Sequence, residues 1–245
     1  TFTATSNKNK IKKLASNVKN PVSGELMDLS DIKLGRFRLR EGGEVGALYA
    51  DRRAEKNDEG YIPYTPGQTI ATENTTPFKI GTVNPKWNLG WRHGFNYKGI
   101  NASVMFTARI GGNVISKTQA TLDRFGVSKT SADARETGYV MRGNIKMEPQ
   151  DYYGTIYDLD SYYVYSATNI RLQEASIGYT LPNKWFGNVV KNVNVSVYGT
   201  NLWMIYNKAP YDPELTASTG TFGQGYDYFM LPSSRTYGFS LKFGF

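Results

Sequence analysis

The chain has 245 residues, a formal net charge of +8, 14% aromatics, 18 tyrosines and 25 glycines. It contains no cysteine and a single histidine, His93, which excludes disulfide frameworks, thiolate metal sites and most imidazole-based schemes of catalysis or metal binding. It has no run of eighteen apolar residues, so no transmembrane helix is predicted; strands that turn every second residue towards water escape that criterion.

Much of the positive excess lies in Lys8, Lys10, Lys12, Lys13 and Lys19. Neither zinc-finger spacing nor an RRM-type aromatic signature accompanies these lysines, so a solvated loop or a rim near anionic headgroups is expected and nucleic-acid binding is not. The sequence starts at Thr1 without an initiator methionine or an apolar leader, from which a fragment or a processed piece is expected.

In chain order, residues 2–9 form the weakest candidate strand. The long stretch 10–86 leaves room for a further pair near residues 33–40 and 44–52, separated by Gly42-Gly43. Residues 87–97 alternate, with Trp87, Leu89, Trp91, Phe95 and Tyr97 on one face and Asn88, Gly90, Arg92, Gly94 and Asn96 on the other. That is the side-chain period of a strand. His93 falls on the apolar face, where a boundary or packing role is expected, not ligation. Lys98-Gly99 predicts a tight hairpin, and residues 100–110 then place Ile100, Ala102, Val104, Phe106, Ala108 and Ile110 on one face.

A second long connection leads to a strand at 170–181, with Ala175, Ile177, Tyr179 and Leu181 on its apolar side and Pro182 ending it. The short link that follows carries Trp185 and Phe186, expected as interface anchors. Another strand spans 193–203, a third long connection follows, and 235–245 closes the chain with Tyr237, Phe239, Leu241, Phe243 and Phe245 on one face. Short and long connections therefore alternate, as periplasmic turns and extracellular loops do in outer-membrane barrels. Strands of about eleven residues suit a tilted crossing of a bilayer. Six strands, or eight with the extra pair, either just close or form one arc of a larger barrel, because an open sheet edge has no place in lipid.

The stretch Ile170-Arg171-Leu172-Gln173-Glu174-Ala175-Ser176-Ile177-Gly178-Tyr179-Thr180-Leu181-Pro182 resembles the "RLxxxSLGYTLP" strand of SusC/RagA-type TonB-dependent outer-membrane transporters of Bacteroidetes. Val197-Tyr198-Gly199-Thr200-Asn201-Leu202-Trp203 is similar to their next strand, Tyr211-Asp212-Pro213-Glu214 to their "YDPE" loop, and Pro232-Ser233-Ser234-Arg235-Thr236 to the "PxxRT" entry to the last strand. Residues 81–99 are similar to their "GxxNPxxxxGxxxxFxYKG" hairpin, and residues 41–50 more loosely to an "EGxPxGxxYG" segment. Trp203 stands in place of the usual Phe, Ala209 where glycine is common, Glu44 in place of proline and Ala50 in place of glycine.

The resemblance implies an all-β chain forming the C-terminal arc, about six to eight antiparallel strands, of a barrel of about twenty-two strands with long extracellular loops. It implies that the signal peptide, N-terminal domain, TonB box, plug and most barrel strands lie outside residues 1–245. It also implies an outer-membrane transporter importing oligosaccharides or peptides, with a SusD-like lipoprotein lid, energy from TonB, and lipid around the barrel as partners. No cofactor and no metal is implied. Catalytic groups are not expected either, since GxSxG, HExxH and P-loop motifs are missing from the sequence.

The tyrosine-rich stretch 151–165 supplies the candidate substrate contacts Tyr152, Tyr153, Tyr157, Asp158, Asp160, Tyr162 and Tyr163, because aromatic faces stack on sugars and carboxylates accept hydroxyl hydrogen bonds. The competing expectation is that these rings pack loop against loop or against the lid. Arg92, Arg109 and Lys242 are expected to face the lumen and meet the plug or lumen water. A self-contained small barrel acting as pore or adhesin, and a soluble secreted glycan-binding β-sandwich, remain open as alternatives.

Overall fold

Alternation of apolar and polar side chains is realised as one antiparallel sheet, with the long connections folded into a cap beyond one end. The structure, a computed structural model, describes residues 1–15, 17–185, 190–215 and 223–244. The chain opens with β1 (Phe2–Thr5), followed by β2 (Asp31–Leu34), β3 (Phe37–Arg40), β4 (Ala47–Ala54) and β5 (Thr72–Thr82). The hairpin β6 (Trp87–Tyr97) and β7 (Ile100–Ile110) leads to β8 (Asn113–Ser116), α1 (Lys117–Arg124), α2 (Lys129–Thr137), β9 (Val140–Arg142), β10 (Ile145–Met147), α3 (Pro149–Ile156) and β11 (Val164–Ser166). Last come β12 (Asn169–Thr180), β13 (Lys191–Asn207), β14 (Tyr226–Asp227) and β15 (Thr236–Gly244).

The wall is a six-stranded sheet in the order β1-β6-β7-β12-β13-β15, antiparallel throughout. These are the strands expected from the sequence, with ends shifted by a few residues. Lys98 and Gly99 both take positive φ, 46° and 89°, which matches the right-handed twist of the strands they join. Register runs straight across the sheet on its apolar side. Phe95, Ala102, Ile177, Val197 and Phe239 are successive neighbours on five strands. The polar side has the parallel row Arg92, Met105, Glu174, Thr200 and Thr236.

Between Leu172 and Glu174 the register shifts against both neighbouring strands, which makes Gln173 a bulge. One surplus residue reverses the parity, so Ile170 and Leu172 share a face with Ala175, Ile177 and Tyr179. Simple alternation does not place both groups on one side. Opposite it, β13 bulges at Asn201-Leu202, with Asn201 at φ 53°.

The extra strand pair expected within 10–86 takes a different form. Residues 33–40 are not one strand but the β2–β3 hairpin, turning at Gly35 with φ 64°, and β4 starts at Ala47. Together with β5 they make a separate four-stranded sheet in the order β2-β3-β4-β5, so they add nothing to the wall. A third sheet, β11-β8-β14, joins the connection after β7 to the one after β13.

The cap has its own core, which explains why connections of this length hold a shape. Ala54, Ile70, Ala120, Met147, Tyr152, Tyr153, Ile156, Leu159 and Tyr163 pack as one buried cluster. Phe37, Leu48, Val83 and Ile115 form a second. Helices of eight or nine residues are marginal alone and depend on this packing. Their ends follow local chemistry: Ser116 and Ser128 accept from Gln119 N–H and Ser131 N–H, Gly138 ends α2 in the left-handed region, and Pro149 opens α3.

Tyr152→Ala empties the centre of this cluster, where Tyr152 is 1% exposed, and is expected to cost about 3–5 kcal/mol of cap stability. Hydrogen exchange should rise in residues 117–163 while the wall strands stay protected; uniform exchange across both would show that cap and wall unfold as one unit.

Candidate functional site

The polar face of the wall and the cap above it hold the candidate contacts. Arg92 on β6 ion-pairs with Glu174 on β12 at 2.9 Å. Ser103 and Ser176 share a hydrogen bond of 2.8 Å, and Asn101 and Asn194 both donate to the Thr180 hydroxyl. Arg109 donates to the Val83 carbonyl. Lys242 is exposed beside its register partner Asn194. These side chains form a wet, hydrogen-bonded surface with few free charges.

Four of the motif stretches meet in one network centred on Arg171. Arg171 on β12 makes a two-pronged contact with Asp212, Nη2 to Oδ1 at 2.6 Å and Nη1 to Oδ2 at 3.1 Å. Its Nη1 also donates to Asn201 Oδ1 at 3.2 Å, and Glu214 lies 3.6 Å away. Asn201 in turn donates to the Ser234 carbonyl at 3.1 Å. The side chains of Arg171 and Asp212 are only 5% and 8% exposed, so the pair is a buried clamp that fixes the start of the connection after β13 to the wall. Burial pushes the Asp212 carboxyl up, but the hydrogen bond and charge of Arg171, with the Glu214 N–H, hold it below the usual range. Sequence reading placed these residues in motifs without seeing that they meet; the signal was the opposite charge of Arg171 and Asp212.

Within the tyrosine-rich stretch, Tyr152, Tyr153 and Tyr163 are 1%, 7% and 3% exposed in the cap core, where their rings pack against one another and their neighbours. α3 turns Tyr152 and Tyr153 inward, and Tyr163, which follows the turn at Asp160–Tyr162, joins them in the same cluster. Burial pushes the Tyr163 hydroxyl well above its ordinary value and raises Tyr165 to about 12, with the nearby Asp123 charge adding to both. Both phenols therefore stay neutral at physiological pH.

Tyr157 is covered by Lys117 at 3.6 Å and Arg124 at 4.5 Å from its ring centre. Tyr162 packs half-buried on the core. Asp158 lies 3.6 Å from Lys117, and Asp160 pairs with Arg36 at 2.8 Å. Arg36 also donates to the Tyr226 hydroxyl and stacks on its ring, tying three connections together. Among the described residues no three His, Cys, Asp or Glu side chains converge in a metal-binding group. Trp185 is 63% exposed, as an interface anchor requires, and Phe186 and Phe245 lie outside the described residues. His93 sits on the apolar face, 6.1 Å from the Trp91 ring.

Replacing Arg171 by Met leaves Asp212 buried without its cation and is expected to cost about 3–5 kcal/mol, read as proteolytic opening of residues 208–215. Restored protection in the Arg171→Met, Asp212→Leu double variant would assign that cost to the uncompensated charge. The depressed Asp212 pKa sets the sign with acid. The stabilisation is complete above the unfolded carboxyl value, about 3.9, and disappears as pH falls through the lower folded value, so the same segment should open in strong acid.

No family model matches the chain. In an alignment 230 positions long that covers 84% of this chain, it is 25% identical to "TonB-dependent receptor P3" of Formosa agariphila, and it covers 23% of that protein. Its fold matches the RagAB peptide importer in the "open-open" state with a TM-score of 0.64 at 18% identity, covering all of this chain and 26% of that one. The "closed-closed" state of the same importer gives a TM-score of 0.59 at 18% identity over 86% of this chain and 24% of that one. The chain thus spans about a quarter of the length of the proteins it matches. The chain is thus similar in sequence to a TonB-dependent receptor and shares its fold with a segment of the RagAB peptide importer.

Proposed function

We propose that this segment is one arc of the wall of an outer-membrane importer, its apolar face against lipid, its polar face lining the passage and its cap outside the cell. The observation that carries the reading is the apolar face itself. Trp91, Phe95, Ile177, Val197, Trp203, Tyr237, Phe239, Leu241 and Phe243 are all between 48% and 72% exposed on that side of the sheet. A surface of this kind is far beyond what a soluble monomer leaves open, and it counts against a sandwich, which buries one face of each sheet. The free edges of β1 and β15 need further strands to satisfy their backbone groups in lipid.

In this reading the cargo is an oligosaccharide or a peptide, a SusD-like lipoprotein closes over the cap, and TonB supplies energy through a plug; the chain itself catalyses nothing. Support comes from the motif resemblance and from the similarity to a TonB-dependent receptor and to a peptide importer. Of the tyrosine-rich stretch, Tyr157, Asp158, Asp160 and Tyr162 keep some surface and stay candidates for contact with cargo or lid.

A charge at the centre of the apolar face separates membrane from water. Phe239→Arg in the full-length protein should destabilise a bilayer-embedded wall by about 2–4 kcal/mol, measured by denaturant unfolding in lipid vesicles. A change within about 0.5 kcal/mol, the usual effect at a solvated surface, would sink the membrane assignment. Unheated samples should also migrate faster in electrophoresis than boiled ones.

A further inference from the structure

On the cap, away from the polar face of the wall, α1, α2 and the start of α3 enclose an open cleft of about 640 Å³. That volume is in the range of small-ligand sites. Arg124, Phe125, Gly126, Arg135, Glu148 and the buried Tyr153 are among the groups around it. Arg124 and Arg135 make no ion pair with any carboxylate among the described residues, and neither does Glu148 with any cation. Arg124 is held by aromatic contact, 4.5 Å from the Tyr157 ring and 5.9 Å from the Phe125 ring, which leaves its forked donors without an anion.

Two further features make the cleft a shaped site. Gly126, at φ 71°, lets the Arg135 guanidinium lie against its backbone; a Cβ there would sit 3.1 Å from Arg135 Nη1. Gly138, at φ 83°, has open space where a side chain would point. The other acid in the lining, Asp123, is 6% exposed and already accepts from Gln119 and from the Ser128 hydroxyl, so it does not neutralise the arginines by pairing. Phe125 is 69% exposed at the rim and offers an apolar face beside the charges.

We infer that this cleft binds the carboxylate of a small ligand on Arg124 and Arg135, with Glu148 receiving a hydrogen-bond donor of the same ligand. A guanidinium matches a planar carboxylate by parallel N–H···O bonds, and this cleft is lined by two of them without a partner anion. Two ligand sources carry such a carboxylate: the C-terminal end of a short peptide, whose ammonium suits Glu148, and an acidic sugar, whose hydroxyls do. The inference rests on the import reading only for placing the cleft outside the cell; binding is independent of transport.

The test uses the full-length transporter purified in detergent, with calorimetric titration of a tripeptide and its C-terminal amide, and of a hexuronate trisaccharide and its neutral hexose counterpart. At least one carboxylate ligand should bind, its uncharged counterpart at least tenfold more weakly, and Arg124→Met with Arg135→Met should weaken it at least tenfold. Arg→Lys versions of both keep the charge and should recover part of the affinity, and unchanged hydrogen exchange across residues 117–163 shows that the cap of each variant is folded. Glu148→Gln should weaken the peptide at least fivefold and the hexuronate little, which distinguishes the two sources. Absence of binding by both carboxylates at millimolar concentration, or equal binding by the double Met variant, overturns the site. Uptake of nutrient by intact cells, measured in parallel, shows whether the import reading survives such a result.

Discussion

One buried clamp decides how the upper part of the molecule is assembled. Arg171 stands on a wall strand with its charged end out of water, and such a group is tolerable only with an anion in good geometry. Asp212 meets that need, and the 208–235 connection is thereby fixed at its start. From there the chain supplies β14, which pairs with β8, and Asp227, whose carboxylate accepts from the buried Ser116 hydroxyl at 2.6 Å. Ser116 also caps α1. Two separate buried polar contacts, Arg171–Asp212 on the wall and Ser116–Asp227 in the cap, thus each satisfy a group that burial has cut off from solvent.

The same clamp gives physical content to the shared motifs. The arginine, asparagine, aspartate and serine that mark four separate stretches are not four independent features. They are the partners of one network, with Arg171 touching Asp212 and Asn201, and Asn201 reaching Ser234. Loss of Arg171 or Asp212 leaves the other buried and unpaired, which ties these stretches together structurally.

Much of the wall was legible because a strand with two different solvents on its faces must alternate. Trp87–Tyr97 and Ile100–Ile110 appear with the very bounds that alternation suggests. The cap was not legible in the same way. Its helices are short, their cores are assembled from residues distant in sequence such as Ile70 and Tyr152, and no single periodicity announces such packing. Tyrosine invites the same prediction whether its ring is a platform or a filler, and only burial separates the two. At 33–40 the alternation Lys33 to Arg40 runs across a turn, which period alone does not register.

The bulge at Gln173 and the one opposite it at Asn201-Leu202 lie at one level of the wall, next to Arg171. An unpaired residue bends its strand and tightens the local right-handed twist. Two of them facing each other concentrate curvature in β12 and β13 at the height where the clamp takes hold. The shape of these two strands is thus set in part by local insertions and not by uniform coiling alone.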